Sequence, residues 1–345
     1  PGLEPAMKFD TTLLTHQLET IPPLARAAQA LGFDGIWTSE TAHDAFFPLL
    51  LAAEHTRTLS LGTSIAVAFP RSPAILAYMS WDLARFSQGR FILGLGTQVK
   101  GHNRRRLGAP WDHPLHRMRE VILSLRAFWD CWQHGTKLDF QGEFYKFNLM
   151  TPFFSPEPHD HWQIPIYLAA VNAGMCRLAG QLCQGVHVHP FHSVKYLKEL
   201  VLPNVQQGLQ KARRTREEIA LSSTVFVIPN DDRDQAQAYE QSVRQQIAFY
   251  ASTPAYGVVF QTHGWDAVAE RLSALATRAR WAEMPELISD EILDTLALWG
   301  SWAKLPQQVL ARYHGGLLDR VSYYFPFAPG EHDEGWKASI RGFKG

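Results

Sequence analysis

A carboxylate and an imidazole three residues apart, Glu40 and His43, are the first groups in this 345-residue chain that could move protons. They follow the apolar run Gly35-Ile36-Trp37-Thr38. A carboxylate leaving such a strand is partly desolvated, which raises its pKa toward the range useful for proton transfer beside a redox cofactor. A helix N-cap or a surface salt bridge fits Glu40 equally well. His43 could act as donor or acceptor near neutral pH, with a solvated loop histidine as its plain alternative.

Other chemistry-bearing residues also come directly after apolar runs. Ser64, Ile65, Ala66 and Arg71 follow one run; Thr97, Gln98 and His102 follow another; Ala169-Ala170-Val171-Asn172 ends a third. The last of these leads into a helical pattern, and free amides at a helix start are a place for a phosphate. His187 and His189 alternate on one strand and share a face, as metal-binding pairs do. A metal site needs further ligands on other strands, and no matching set is present, so none is expected. Gly94-Leu95-Gly96 begins like a dinucleotide fingerprint, but Val99 stands where the third glycine belongs and a polar loop replaces the immediate helix. These glycines fit a flat ring approaching the backbone closely.

The elements that must hold these residues alternate between short apolar runs and amphipathic stretches. Runs at 7–14, 35–38, 59–68, 91–96, 164–170, 185–189, 221–228 and 321–325 read as eight strands. Helical patterns fall at 21–31, 48–56, 73–87, 118–132, 174–184, 194–212 and 306–313. Repeated β-then-α units point to a parallel sheet covered by helices. Eight strands fit a closed (β/α)₈ TIM barrel; an open doubly wound sheet is the alternative. In such a barrel, chemistry gathers at the strands' C-terminal ends, where all the residues above lie. Residues 138–149 read as an inserted hairpin, 97–113 and 152–161 as loops, and 234–302 as a helical insertion. No linker marks a second domain, so 1–345 is expected as one domain with a core at about 7–325.

Composition narrows the function classes. Apolar residues make up 46% and charged residues 19%, with Lys+Arg and Asp+Glu equal at 33 each. No net field attracts nucleic acid or anionic lipid, which favours an enzyme with a small-molecule substrate. No apolar run reaches the roughly 18 residues that span a bilayer, and no secretory leader is evident. Cys131, Cys176 and Cys183 form no paired framework and read as packing residues in a reducing cytoplasm.

Several segments together resemble the luciferase-like monooxygenase superfamily. They are Leu31-Gly32-Phe33-Asp34-Gly35-Ile36-Trp37-Thr38-Ser39-Glu40, Leu61-Gly62-Thr63-Ser64-Ile65 with Arg71-Ser72-Pro73, and, most strongly, Ser87-Gln88-Gly89-Arg90-Phe91-Ile92-Leu93-Gly94-Leu95-Gly96. Ile166-Tyr167-Leu168-Ala169-Ala170 and the 140–147 hairpin are similar too. The likeness spans about 7–325 and is nearest to the coenzyme F420-dependent oxidoreductase branch. It implies a bacterial luciferase-like TIM barrel, usually a homodimer, with a deazaflavin in the barrel mouth backed by a non-proline cis peptide at Ser64-Ile65. Implied cofactor contacts are Ser39, Thr63, Ser64, Ile65 and Ala66 at the ring, Thr97 and Gln98 at the ring or its side chain, and Ala169, Ala170, Val171, Asn172 and Ala173 at the phosphate. Trp37, Phe46 and Phe69 are expected as apolar walls, and Glu40 or His43 as the catalytic proton-transfer group. An FMN-dependent monooxygenase supplied by a partner reductase is the alternative within the superfamily. Departures are Thr41 and Val99, where sugar-phosphate enzymes carry histidine and glutamate, and Val171-Asn172, where a glycine pair is common. Glucose-6-phosphate is therefore not an expected substrate.

Overall fold

The computed structural model describes residues 6–13 and 17–345. Eight parallel strands close into a barrel: β1 (Lys8–Leu13), β2 (Gly35–Thr38), β3 (Ser60–Thr63), β4 (Phe91–Gly96), β5 (Ile166–Ala170), β6 (Gly185–Val188), β7 (Ala220–Pro229) and β8 (Arg320–Tyr323). Each pairs with the next, and Phe9 of β1 lies opposite Val321 of β8, so the sheet closes on itself and the open-sheet alternative fails. Residue 14, the expected end of the first strand, and the extreme N-terminus where a leader was sought lie outside the described residues.

Parallel neighbours require crossovers, and the amphipathic patterns provide them as helices Ile21–Leu31, Phe47–His55, Pro73–Phe86, Pro114–His134, Ala173–Leu182 and Leu202–Lys211. Local chemistry sets their ends. Gly32, at φ +105°, stops the first helix in the left-handed region that glycine tolerates. Ser72 caps the third, with Pro73 at its first position. No helix among the described residues is long and apolar enough to cross a membrane.

Strand alternation divides the apolar residues into two populations. Outward-facing side chains such as Phe9, Phe91 and Val321 pack under the helices in one large core. Inward-facing Trp37, Ile92 and Tyr167 form a separate small cluster filling the barrel. Below the mouth, Asp10 of β1 takes two guanidinium bonds from Arg320 of β8, each 2.8 Å, and the indole N–H of Trp37 at 2.9 Å. A buried charge is tolerable only when paired this fully, and the pair ties together the two strands that close the barrel.

The structure departs from the sequence reading in four places. The expected strand at 59–68 breaks into Ser60–Thr63 and Ala66–Val67, separated by a cis bond between Ser64 and Ile65, and the second piece pairs with β4. The polar loop after β4 contains a helix, Lys100–Arg105. The mostly helical stretch before β8 includes a strand, Ala297–Gly300, which extends the sheet beside β7. Beyond the expected core, helix Asp333–Lys344 buries Trp336 and Phe343 against Phe9, with ring centroids at 6.4 and 4.3 Å.

Candidate functional site

At the C-terminal ends of the strands, the inward positions are no longer sealed. Thr12, Ser39, Ser64, Ala169, His189, Thr224 and Tyr324 all point toward the axis by strand parity and are half-buried, so they ring an open mouth. One layer down, the inward set closes into a floor. Trp37 lies across Gly62, where a Cβ would come within 2.2 Å of the indole. His187 stands edge-on to Trp37 at 4.9 Å, its Nε2 buried without a partner among the described residues. Burial pushes the pKa of His187 down to about 3, keeping the imidazole neutral.

The Ser64-Ile65 bulge carries a side chain into this mouth. A Cβ on Gly96 would meet Ile65 at 2.6 Å and Ala169 Cβ at 3.4 Å, so the bare glycine is what lets Ile65 lie across β4 toward β5. Glu40 fixes the bulge from the side. Its carboxylate accepts the Val67 N–H at 2.8 Å, and Arg71 donates to both oxygens at 2.9 and 2.7 Å. The Glu40 N–H donates to Ile65 O at 3.2 Å. Arg71 reaches on to Asp44 at 2.9 Å, and Asp44 in turn accepts the Phe46 N–H at 2.7 Å. Of the open readings for Glu40, the geometry brings out an ion pair, one that braces the bulge. His43 is exposed on the same loop.

Two further segments complete the rim. After β4, Gln98 adopts φ +57° and accepts the Val99 N–H, while buried Asn103 donates to Thr97 O at 2.7 Å and Val99 O at 3.2 Å. This holds half-buried Thr97 and Gln98 at the mouth. After β5, Asn172 precedes helix Ala173–Leu182 and caps no amide with its side chain. The N–H groups of Ala173 and Gly174 point out of the helix start without an acceptor among the described residues. Tyr196 donates its hydroxyl to Val171 O from beneath and sets the height of the turn.

Ser39, Ser64, Ile65, Thr97, Gln98, Ala169, Val171 and Ala173 are therefore half-buried around one opening, with Asn172 exposed at its edge. Thr63 and Ala66 have no exposed surface and Ala170 has 1%, so these three expected contacts stand behind the opening and not on it. Thr63 is used up in strand pairing: its hydroxyl donates to Gly94 O at 2.6 Å and accepts the Gly94 N–H at 2.9 Å. Ala170 has the parity that faces the helices. Phe46 and Phe69 are likewise sealed in the outer core, against Phe91 and Trp111, and form no wall of the mouth. Asn103, Tyr196 and the aromatic residues Tyr250, Tyr256 and Tyr324 were missed. Asn103 sits in a wholly polar stretch and left no trace in the sequence; Tyr196 shows only as a hydroxyl-bearing ring among the apolar residues of its helix.

Among the described residues, no three of His, Cys, Asp and Glu gather as metal ligands. A cavity of about 740 Å³ opens at the opposite end of the barrel, lined by Arg126, Trp129, Trp162 and Arg214. Its guanidinium groups are spent on main-chain carbonyls, Arg126 on Leu182 and Arg214 on Gly180 and Cys183, which makes that lining structural.

The chain is 44% identical over 325 residues to an uncharacterized protein of Mycobacterium tuberculosis, covering 94% of this chain and 95% of that one. It is 29% identical over 321 residues to the 5,10-methylenetetrahydromethanopterin reductase of Archaeoglobus fulgidus, covering 90% and 88%. The solved structure of the coenzyme F420 dependent tetrahydromethanopterin reductase from Methanopyrus kandleri superposes with a TM-score of 0.77 at 21% identity, covering 98% of this chain and 97% of that one. Residues 7–320 match the family model described as luciferase-like monooxygenase. The closed barrel, its bulged third strand and this match over nine-tenths of the sequence agree: the chain belongs to the luciferase-like monooxygenase family.

Proposed function

We propose that this protein is an oxidoreductase that holds coenzyme F420 in the barrel mouth and works on a small organic substrate stacked over it. The observation that carries this reading is the Ile65 side chain lying over Gly96 and Ala169, a cradle that a Cβ at position 96 would fill. A flat tricyclic ring fits against that bed. The free Ala173 and Gly174 amides at a helix start fit the phosphate of its side chain. A 28% identity over 319 residues to a putative coenzyme F420-dependent oxidoreductase of Mycobacterium tuberculosis supports F420 as the ring compound. When bound, a deazaflavin supplies hydride chemistry.

The protein's own part is then to hold and to exclude. Ser64 and Ile65 shield one face of the ring, and the Glu40–Arg71 pair keeps them in place. Thr97 and Gln98 border the ring edge, while Trp37 and His187 close the barrel beneath and keep water from rising through it. His43 lies at the exposed rim, where a proton can be exchanged with solvent.

The family's description as monooxygenases supports a second reading, in which reduced FMN and oxygen are used. Turnover under argon separates the two. With reduced F420 and a panel of carbonyl and alkene acceptors, the first reading expects loss of the reduced cofactor without oxygen. Consumption of reduced FMN only when oxygen is admitted, with F420 inert, would overturn it.

A further inference from the structure

Beyond the cofactor bed, the mouth has a second wall, built where β6, β7 and β8 meet the helical segment after β7. Its centre is His189, the first residue past β6. The Phe191 N–H donates to His189 Nδ1 at 3.1 Å. A ring nitrogen that accepts an N–H carries no proton, so the proton of the neutral imidazole sits on Nε2. That Nε2 has no partner among the described residues and is not one of the enclosed, unpaired atoms, so it opens on the mouth.

The ring itself cannot swing. Tyr256 packs on it at 4.2 Å with a 30° tilt, and Tyr250 meets it edge-on at 4.6 Å. Tyr250 is anchored by a hydroxyl contact to Tyr324, which donates to Gln246 Oε1 at 3.1 Å. Main chain holds the strand end as well, because His189 O takes the Nδ1–H of His192 at 2.9 Å, whose Nε2 faces Tyr313 OH at 3.1 Å. The pKa of His189 is pushed down to about 3 by burial, so the group stays an uncharged donor.

We propose that His189 is a specificity-determining residue: its fixed Nε2–H receives the oxygen of an uncharged, planar carbonyl compound, which is the class of substrate this mouth takes. The wall offers neutral hydroxyl and imidazole donors and no charge. Thr12, Ser39, Ser64, Ala169, Thr224, Tyr250, Tyr256 and Tyr324 are all neutral. Nearby charges are already matched, Glu40 and Asp44 by Arg71 and Asp10 by Arg320, while Lys100, Arg104 and Arg105 stay exposed beyond β4. A carboxylate or phosphate pressed against this wall would lose its water and meet no cation, which is costly. A carbonyl needs a single donor, and a neutral imidazole N–H held in place is well suited to polarise it.

The inference rests on the mouth being the active site, as proposed above, and its test is kept separate from cofactor identity. The probe is acetophenone labelled with ¹³C at the carbonyl, with benzoate as its charged counterpart. Both are titrated into the F420-loaded protein, and also into protein without F420. The carbonyl resonance is expected to move downfield on binding the wild type, and benzoate to bind more weakly. His189→Phe keeps an aromatic ring but removes the donor, so the downfield shift is lost and acetophenone binds roughly 3- to 10-fold more weakly, the usual worth of one neutral hydrogen bond. His189→Gln restores an N–H at similar reach and recovers the shift, which a merely structural role would not explain. An equal shift in wild type and His189→Phe, benzoate binding as tightly as acetophenone, or no binding of acetophenone to the wild type would overturn the proposal. F420 affinity, read by fluorescence quenching, is unchanged in His189→Phe. If F420 itself fails to bind, the functional reading falls while the acetophenone result on the unloaded protein still decides the role of His189.

Discussion

Glu40 and Arg71 are 31 positions apart in sequence, yet their side chains, 14% and 17% exposed, share two hydrogen bonds beside the bulge that shapes the mouth. A charge-assisted pair at such a half-buried place contributes roughly 1.5–3 kcal/mol, far more than a solvated surface pair. We propose that Glu40 acts by bracing the bulge through this ion pair, not by transferring a proton. Glu40→Gln is expected to weaken F420 binding roughly 10-fold while leaving turnover near normal once cofactor saturates. Arg71→Lys should do much the same, because a lysine lacks the planar fork that reaches Glu40 and Asp44 together. Combining Glu40→Gln with Arg71→Lys should cost less than the sum of the two, since each removes the same contact. Fluorescence titration of the three variants checks this. A collapse of turnover at saturating cofactor in Glu40→Gln would instead return the residue to proton transfer.

Among the elements, β6 and the turn after it concentrate buried imidazoles. His187 and His192 are held neutral by burial, with pKa values down at about 3 and about 4 against about 6.5 in the unfolded chain. Between those values the unfolded state binds protons that the folded state refuses, so stability is complete above about pH 6.5 and drains as pH falls toward 4. Each histidine contributes a slope of roughly 1.4 kcal/mol per pH unit in that window. Denaturant unfolding at pH 7.5, 6 and 5 is expected to show this loss, and His187→Phe to flatten part of it; a flat profile in the wild type would contradict it. The strands themselves were legible because most are short, nearly continuous apolar runs, as parallel strands buried on both faces must be, ended by glycine or polar residues. What could not be read were pairings across the chain. Asp10 meets Arg320 at a separation of 310 residues, and His189 meets Tyr250 and Tyr256 only because the segment after β7 folds back over the mouth. Helix Asp333–Lys344 completes the eighth β-then-α unit, and its few apolar residues, Trp336, Ile340 and Phe343, are set among charges and glycines that mask the helical pattern. Sequence spacing finds the strand ends but not which parity faces the axis, so it did not separate buried Thr63, Ala66 and Ala170 from the residues that ring the opening.

At the scale of the molecule, the barrel is closed by main-chain pairing of β1 with β8 and locked by the Asp10–Arg320 pair inside it. Helices Phe47–His55 and Pro73–Phe86 leave Phe47, Leu50, Ile75 and Phe86 exposed on the outer surface, each at 45% or more. Large apolar side chains left exposed on two neighbouring helices are candidates for an association surface. We therefore expect a homodimer, with Leu50→Asp combined with Ile75→Asp shifting the mass measured by light scattering to that of one chain; a wild-type monomer would contradict this. The barrel mouth, though, is where the account stands or falls. Its most direct test is a fluorescence-quenching titration of the purified protein with F420 and with FMN, alongside Gly96→Val, whose side chain would displace Ile65 from the cradle. Saturable quenching by F420 is expected, with no competition from an equal concentration of FMN, and with loss of F420 binding in a Gly96→Val protein that still unfolds cooperatively. Tighter binding of FMN, or F420 binding undiminished by Gly96→Val, would contradict it.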